Sequence, residues 1–130
     1  MIRRFHDAKI RHSSSVTLWG TGTPRREFLH VDDLASAACF VMENYQGGDL
    51  LNVGMGDDLS IAELGRLVAR VVGYRGEIHF DPSRPDGTPR KLLDVSRLHA
   101  LGWRAGIGLE DGIRATYEWY CAHAPTAAAG

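Results

Sequence analysis

Apolar residues recur at helical spacing in several stretches of the chain, and short apolar or alternating runs separate them. Ile2, Phe5 and the stem of Lys9 share one face of a predicted helix from Ile2 to about Arg11, which Ser13-Ser14-Ser15 ends. Val16 to Trp19 is a β-prone run, and Gly20-Thr21-Gly22-Thr23-Pro24 is a turn. Glu27 to Val31 predicts a second strand. Asp32 and Asp33 stand at N-cap positions before Leu34, Ala37, Ala38, Val41 and Met42, so a helix is expected from Asp32 to near Tyr45. Leu50 to Val53 reads as a short buried strand, closed by Gly54-Met55-Gly56.

Ser60 and Glu63 form a capping box, and the helix behind it carries Ile61, Leu64, Val68, Val71 and Val72 on one face up to Gly73. Glu77 to Phe80 alternates as a half-buried strand does. Asp81 to Arg90 holds three prolines and a glycine, which forbids regular structure and predicts an ordered, function-bearing loop. Asp94 and Ser96 start a short helix through Leu98 and Leu101, stopped at Gly102. The last helix is expected from Leu109 to His123, with Leu109, Ile113, Thr116, Tyr117 and Tyr120 as its buried stripe. Ala124 to Gly130 carries no pattern and is expected to be disordered. There is no internal repeat. Helices alternate with short strands, which gives a mixed α/β class but not the evenly spaced βα series of a whole doubly wound domain.

Composition narrows this picture. The chain has 130 residues, 15 Lys+Arg, 16 Asp+Glu and a net charge of −1. Without a basic excess, nucleic acid is not an expected partner. No apolar run is long enough to span a membrane, and Met1-Ile2-Arg3-Arg4-Phe5-His6 lacks the apolar core of a secretory signal, so a cytoplasmic location is expected. Cys39 and Cys121 lie in apolar helical patterns and are expected to be buried free thiols. The only lysines are Lys9 and Lys91, and the other 13 basic residues are arginines, whose planar fork suits phosphate and carboxylate.

Two irregular segments carry the candidate chemistry. Gly20-x-Gly22 and Gly54-x-Gly56 match neither phosphate-loop template and read as turns. Thr23-Pro24-Arg25-Arg26 sets two arginines on a rigid turn near Trp19, which is either an anion site with a stacking ring or solvated arginines beside a core Trp. Asp86-Gly87-Thr88-Pro89-Arg90-Lys91 is either a polyol-and-phosphate clamp or a loop braced by a local salt bridge. The six histidines show no metal-ligand spacing, and no GxSxG elbow is present.

Trp19-Gly20-Thr21-Gly22-Thr23-Pro24-Arg25-Arg26-Glu27-Phe28-Leu29-His30-Val31-Asp32-Asp33-Leu34 resembles a signature of the GDP-L-fucose synthases. Arg84-Pro85-Asp86-Gly87-Thr88-Pro89-Arg90-Lys91-Leu92-Leu93-Asp94, Leu101-Gly102-Trp103 and the opening Arg3-Arg4-Phe5-His6 resemble the same family. The likeness runs from about residue 2 to 120 and corresponds to the C-terminal part of the family's chain. It implies the substrate-binding portion of an extended short-chain dehydrogenase. Residues 1–30 and 55–124 would form that portion. Residues 31–54 would be a strand-helix segment that completes the Rossmann sheet of an NADP-binding domain. The family's Gly-rich loop, its Ser/Tyr/Lys set and its Cys and His acid/base pair have no counterpart in this chain.

By resemblance, Arg4, Trp19, Arg26 and Asp86 match positions that contact the GDP-sugar, and Lys91 is carried over near the phosphates; Arg25 matches a variable position. The complete enzyme epimerises a 4-keto sugar at C3 and C5 and reduces C4 with NADPH. This chain is expected to bind no NADP and catalyse nothing alone. Its orphaned apolar faces imply a partner, either a missing N-terminal half or a second copy. A non-catalytic GDP-sugar-binding module or partner subunit, and another nucleotide-sugar epimerase specificity, remain as alternatives.

Overall fold

The helix that organises the fold begins at the capping box. In the computed structural model, which describes residues 1–123, Ser60 Oγ accepts the Glu63 N–H at 3.1 Å and Glu63 Oε2 accepts the Ser60 N–H at 2.7 Å. Helix α3 (Ile61–Val72) follows and ends at Gly73, whose φ of 77° is the left-handed conformation a glycine terminator supplies. Leu64, Gly65, Val68, Ala69 and Val72 form its buried face. Gly65 must be small, because a Cβ there would stand 2.9 Å from Leu18 Cδ1.

Helix α1 (Ile2–Ile10) lies on α3 through Phe5 and Ala8, both buried. Lys9 Nζ donates to Val72 O at 2.8 Å, placing a cation on the last turn of α3. Helix α5 (Leu109–His123) packs on α3 through Ile113, Leu109 and Tyr117. Strands β1 (Ser15–Trp19) and β4 (Glu77–Asp81) pair in parallel, Ser15 opposite Glu77 and Trp19 opposite Asp81. Val16 and Leu18 turn inward from β1, and the main core forms between these strands and the three helices.

A second, three-stranded sheet has the order β3-β2-β5, from β2 (Arg25–Arg26), β3 (Leu59–Ser60) and β5 (Arg90–Lys91). β2 runs antiparallel to β3 and parallel to β5. Helix α2 (Val31–Asn44) buries Ala37 with Leu98 of α4 (Ser96–Ala100) and Trp103 in a smaller second cluster. Trp103 Nε1 donates to Ser36 Oγ at 3.2 Å, so the buried indole keeps a partner.

Several expectations need correction. Glu27 to His30 is not strand; Val31 already begins α2. The Glu27 carboxylate takes the N–H of Gly56 at 2.6 Å and of Leu93 at 3.2 Å, so a side chain rather than a ladder satisfies those groups. The cap of α2 is His30, whose Nδ1 accepts the Asp32 N–H at 3.3 Å, not Asp32 or Asp33. Asp33 is buried and accepts from Gly106 and Ile107. Among the described residues Leu50 to Val53 forms no strand, because none of the described strands offers it an edge. Cys39 and Cys121 are exposed free thiols, and Thr116 is also exposed, turning its hydroxyl back to Gly112 O. Their helices pack along narrower stripes than the apolar pattern suggested.

The expectation for Ala124 to Gly130 lies outside the described residues. Among the described residues no helix is long and apolar enough to cross a membrane.

Candidate functional site

The two irregular segments meet because both feed the small sheet. β2 follows the glycine turn after β1, and β5 follows the proline loop after β4. Parallel pairing of β1 with β4 brings the two exits side by side. Arg25 N–H then donates to Pro89 O at 2.8 Å, and the pairing sets Arg25 opposite Arg90 and Arg26 opposite Lys91. Two candidates far apart in sequence thus become neighbours.

Asp86 reaches back over the turn after Trp19. Its Oδ1 accepts the Thr21 N–H at 2.6 Å, and its Oδ2 accepts the Thr21 hydroxyl at 2.7 Å. Gly20, at φ 83°, has no room for a side chain, since a Cβ would collide with Asp86 Oδ1. The loop is therefore braced by Asp86 on Thr21, not by Asp86 on its neighbouring cations. Arg26 Nη2 stands 3.8 Å from where a Cβ on Gly87 would lie, which puts its guanidinium against this loop. Arg26 Nη1 donates to Arg25 O at 2.7 Å.

Trp19 ends β1 with 66% of its surface exposed. The Arg84 guanidinium lies 5.3 Å from its ring centroid and that of Arg4 lies 6.0 Å away, both within cation–π range. Arg4 Nη1 also donates to Thr17 O at 2.9 Å, tying α1 to β1. Arg4 further lines an open depression with Arg3, Arg11 and Thr17. Trp19, Asp86, Arg26 and Lys91 follow one another along the joined turns, and Arg4 flanks Trp19.

Sequence reasoning missed the support beneath these residues. The Asp58 side chain is only 1% exposed and binds two arginines, Arg25 Nε at 2.6 Å and Arg90 Nε at 2.5 Å. Hydrogen bonds from Arg90 and then Arg25 hold its carboxyl below the ordinary range. The same contact raises Arg25 further. Glu63 lies 3.6 Å from Arg25 and is lowered chiefly by the Ser60 N–H. Arg84 was also missed. The available signal was an acidic pair, Asp57-Asp58, just ahead of the Ser60 cap, with an arginine in each irregular block.

The arrangement offers cations, an exposed indole and a braced turn, a set suited to holding an anion that bears a ring. Among the described residues no group of three His, Cys, Asp or Glu could hold a metal ion. The glycine turns are filled from within: a Cβ on Gly22 would meet Phe80, one on Gly54 would meet Glu27 and one on Gly56 would meet Val95.

The model of the NAD dependent epimerase/dehydratase family matches residues 1–54. A putative GDP-L-fucose synthase 2 of Arabidopsis thaliana is 52% identical over 120 residues, covering 92% of this chain and 37% of that protein. The GDP-L-fucose synthase of Escherichia coli K12 is 51% identical over 129 residues, covering 92% of this chain and 40% of that protein. The solved GDP-mannoheptose C4 reductase of Campylobacter jejuni, with NADP bound, superposes with a TM-score of 0.82 at 40% identity, covering 92% of this chain and 43% of that one. The chain spans 37% to 40% of the length of these two curated relatives.

Proposed function

As a homologue of the GDP-L-fucose synthases with part of the extended short-chain dehydrogenase fold, this chain, we propose, forms the GDP-sugar-binding side of such an enzyme. The observation that carries the reading is the parallel pairing of β2 with β5, which sets Arg26 beside Lys91 next to the Asp86 loop. The two cations meet the diphosphate, and the exposed Trp19 ring, with Arg4 and Arg84 over it, borders the same ligand. Asp86 keeps the turn in place with its two oxygens on Thr21, and their remaining lone pairs face a hydroxyl of ribose or sugar.

The complete enzyme, in this reading, converts GDP-4-keto-6-deoxy-D-mannose to GDP-L-fucose with NADPH. NADP would supply the hydride. Gly22, Gly54 and Gly56 have side chains standing where a Cβ would lie, so these turns are not read as a cradle for that cofactor. The chain's own part is to bind and orient the nucleotide-sugar. Val31, Leu34, Met42 and Leu50 stand 50% to 92% exposed, which suits cover by an N-terminal half or by a second copy. Two exposed thiols suit a reducing compartment, the cytoplasm.

Calorimetric titration with GDP tests the reading. Micromolar binding that Arg26→Ala weakens more than tenfold is the expected result, and no heat with the unmodified chain would overturn it. The chain with NADPH and the keto-sugar should leave NADPH unoxidised; turnover would overturn the assignment of a binding role alone.

A further inference from the structure

We propose that Asp58 is the positioning residue of the site: it grips Arg25 and Arg90 on one face of the β2–β5 pair and so presents Arg26 and Lys91 together on the other. The proposal rests on the GDP-sugar reading and adds to it a residue that never meets the ligand.

Strands β2 and β5 are each two residues long. Ladder hydrogen bonds over so short a stretch fix register weakly, and a slip by one residue would exchange the two faces. Side-chain ties must supply what the ladder lacks. Asp58 provides them, with Oδ1 on Arg25 Nε, Oδ2 on Arg90 Nε, and its own carbonyl on Arg25 Nη2 at 2.7 Å. The two arginines it joins are register partners. A carboxylate this buried is costly unless both oxygens are paired. The slipped register would strip it of those partners, so burial of Asp58 selects the observed one. Asp57 Oδ1 accepts the Asp58 N–H at 2.8 Å and holds the gripping residue itself.

Neighbouring residues of a strand point to opposite faces, and register partners point to the same face. Arg25 and Arg90 turn to Asp58, so Arg26 and Lys91 turn away from it. Ser60, the β3 partner of Arg25, falls on the Asp58 side, with Glu63 on its hydroxyl and 3.6 Å from Arg25. Asp58 and Glu63 thus gather behind the sheet, and on the face left to Arg26 and Lys91 the nearby Asp86 carboxylate is taken up by Thr21.

The test is a thermodynamic cycle on GDP affinity, measured by calorimetry below the melting temperature of each variant. Asp58→Asn should weaken binding roughly tenfold, a coupling of the size that contacting groups show. In the Arg26→Ala background the same change should cost clearly less than tenfold in GDP affinity, because only Lys91 is left for Asp58 to position. A merely structural role would lower the melting temperature and the fraction of competent molecules while leaving Kd unchanged. Arg25→Lys keeps charge and strand but cannot hold both Asp58 Oδ1 and the Asp58 carbonyl with one planar fork, and should weaken binding in the same direction if Asp58→Asn does not fold. Wild-type affinity in both Asp58→Asn and Arg25→Lys overturns the proposal alone. No binding of GDP by the unmodified chain overturns both this proposal and the reading beneath it.

Discussion

Asp86 holds Thr21 with both carboxylate oxygens, one on its backbone N–H at 2.6 Å and one on its hydroxyl at 2.7 Å. The contact joins the loop before β5 to the turn before β2. Asp86→Ala should therefore loosen residues 82–89 more than it destabilises the whole, with a loss of about 1 kcal/mol for an exposed pair of hydrogen bonds. Limited proteolysis should find new cleavage between Pro82 and Pro89 while the thermal midpoint moves little. An unchanged digestion pattern would contradict the bracing role.

Gly20 depends on the same contact. Its φ of 83° costs an alanine about 1–2 kcal/mol, and the added Cβ would also push Asp86 aside. Gly20→Ala should thus be less stable than Asp86→Ala, and should release the loop as well. Urea midpoints for the two variants give the order.

Ser60→Ala removes the reciprocal cap of α3, the helix on which α1 and α5 both rest. A loss of about 1 kcal/mol is expected. Ser60→Asp, which can still accept from the Glu63 N–H, should recover part of it. Denaturant titration of the three proteins checks both statements.

Stability should fall at both ends of the pH scale. Asp58, Glu63 and Asp94 lie below their ordinary range, held there first by Arg90, by the Ser60 N–H and by the Ser96 N–H respectively. Groups with depressed folded-state values stabilise the fold above about pH 4 and lose that contribution as pH falls through those values. Tyr117 runs the other way. Burial, then its contact with Cys121, pushes it up from 10.0 to about 12. Its contribution is whole below about pH 10 and is lost as pH rises toward the folded-state value. Urea midpoints against pH should show a plateau between these limits. Asp58→Asn should flatten the acid side, and Tyr117→Phe the alkaline side.

Cys39 and Cys121 should both react with a disulfide reagent in the native chain, at rates near those in denaturant. Protection of either thiol would contradict its exposure.

Local signals were read correctly where their causes are local. The Ser60 and Glu63 cap, the Gly73 terminator and the helix from Leu109 to His123 each rest on residues within a few turns of one another. The glycine turn after Trp19 was legible for the same reason. The resemblance to a known family names Arg4, Trp19, Arg26, Asp86 and Lys91, and the binding role it implies for them is the one proposed above. What remained hidden needed a partner distant in sequence. Leu50 to Val53 has the composition of a strand, but a strand exists only beside another, and among the described residues none pairs with it. Glu27 begins a β-like run, yet its carboxylate is used on Gly56 and Leu93.

By itself, then, the amino-acid sequence determined the helices, both ends of α3 and the two segments that bear the chemistry, because periodicity and capping act over a few residues. Only the tertiary structure decided which residues of those segments face one another. Pairing across the chain set Arg26 against Lys91 and Asp86 on Thr21. Burial of one carboxylate, Asp58, between Arg25 and Arg90 depends on three segments meeting, and no local pattern encodes such a meeting.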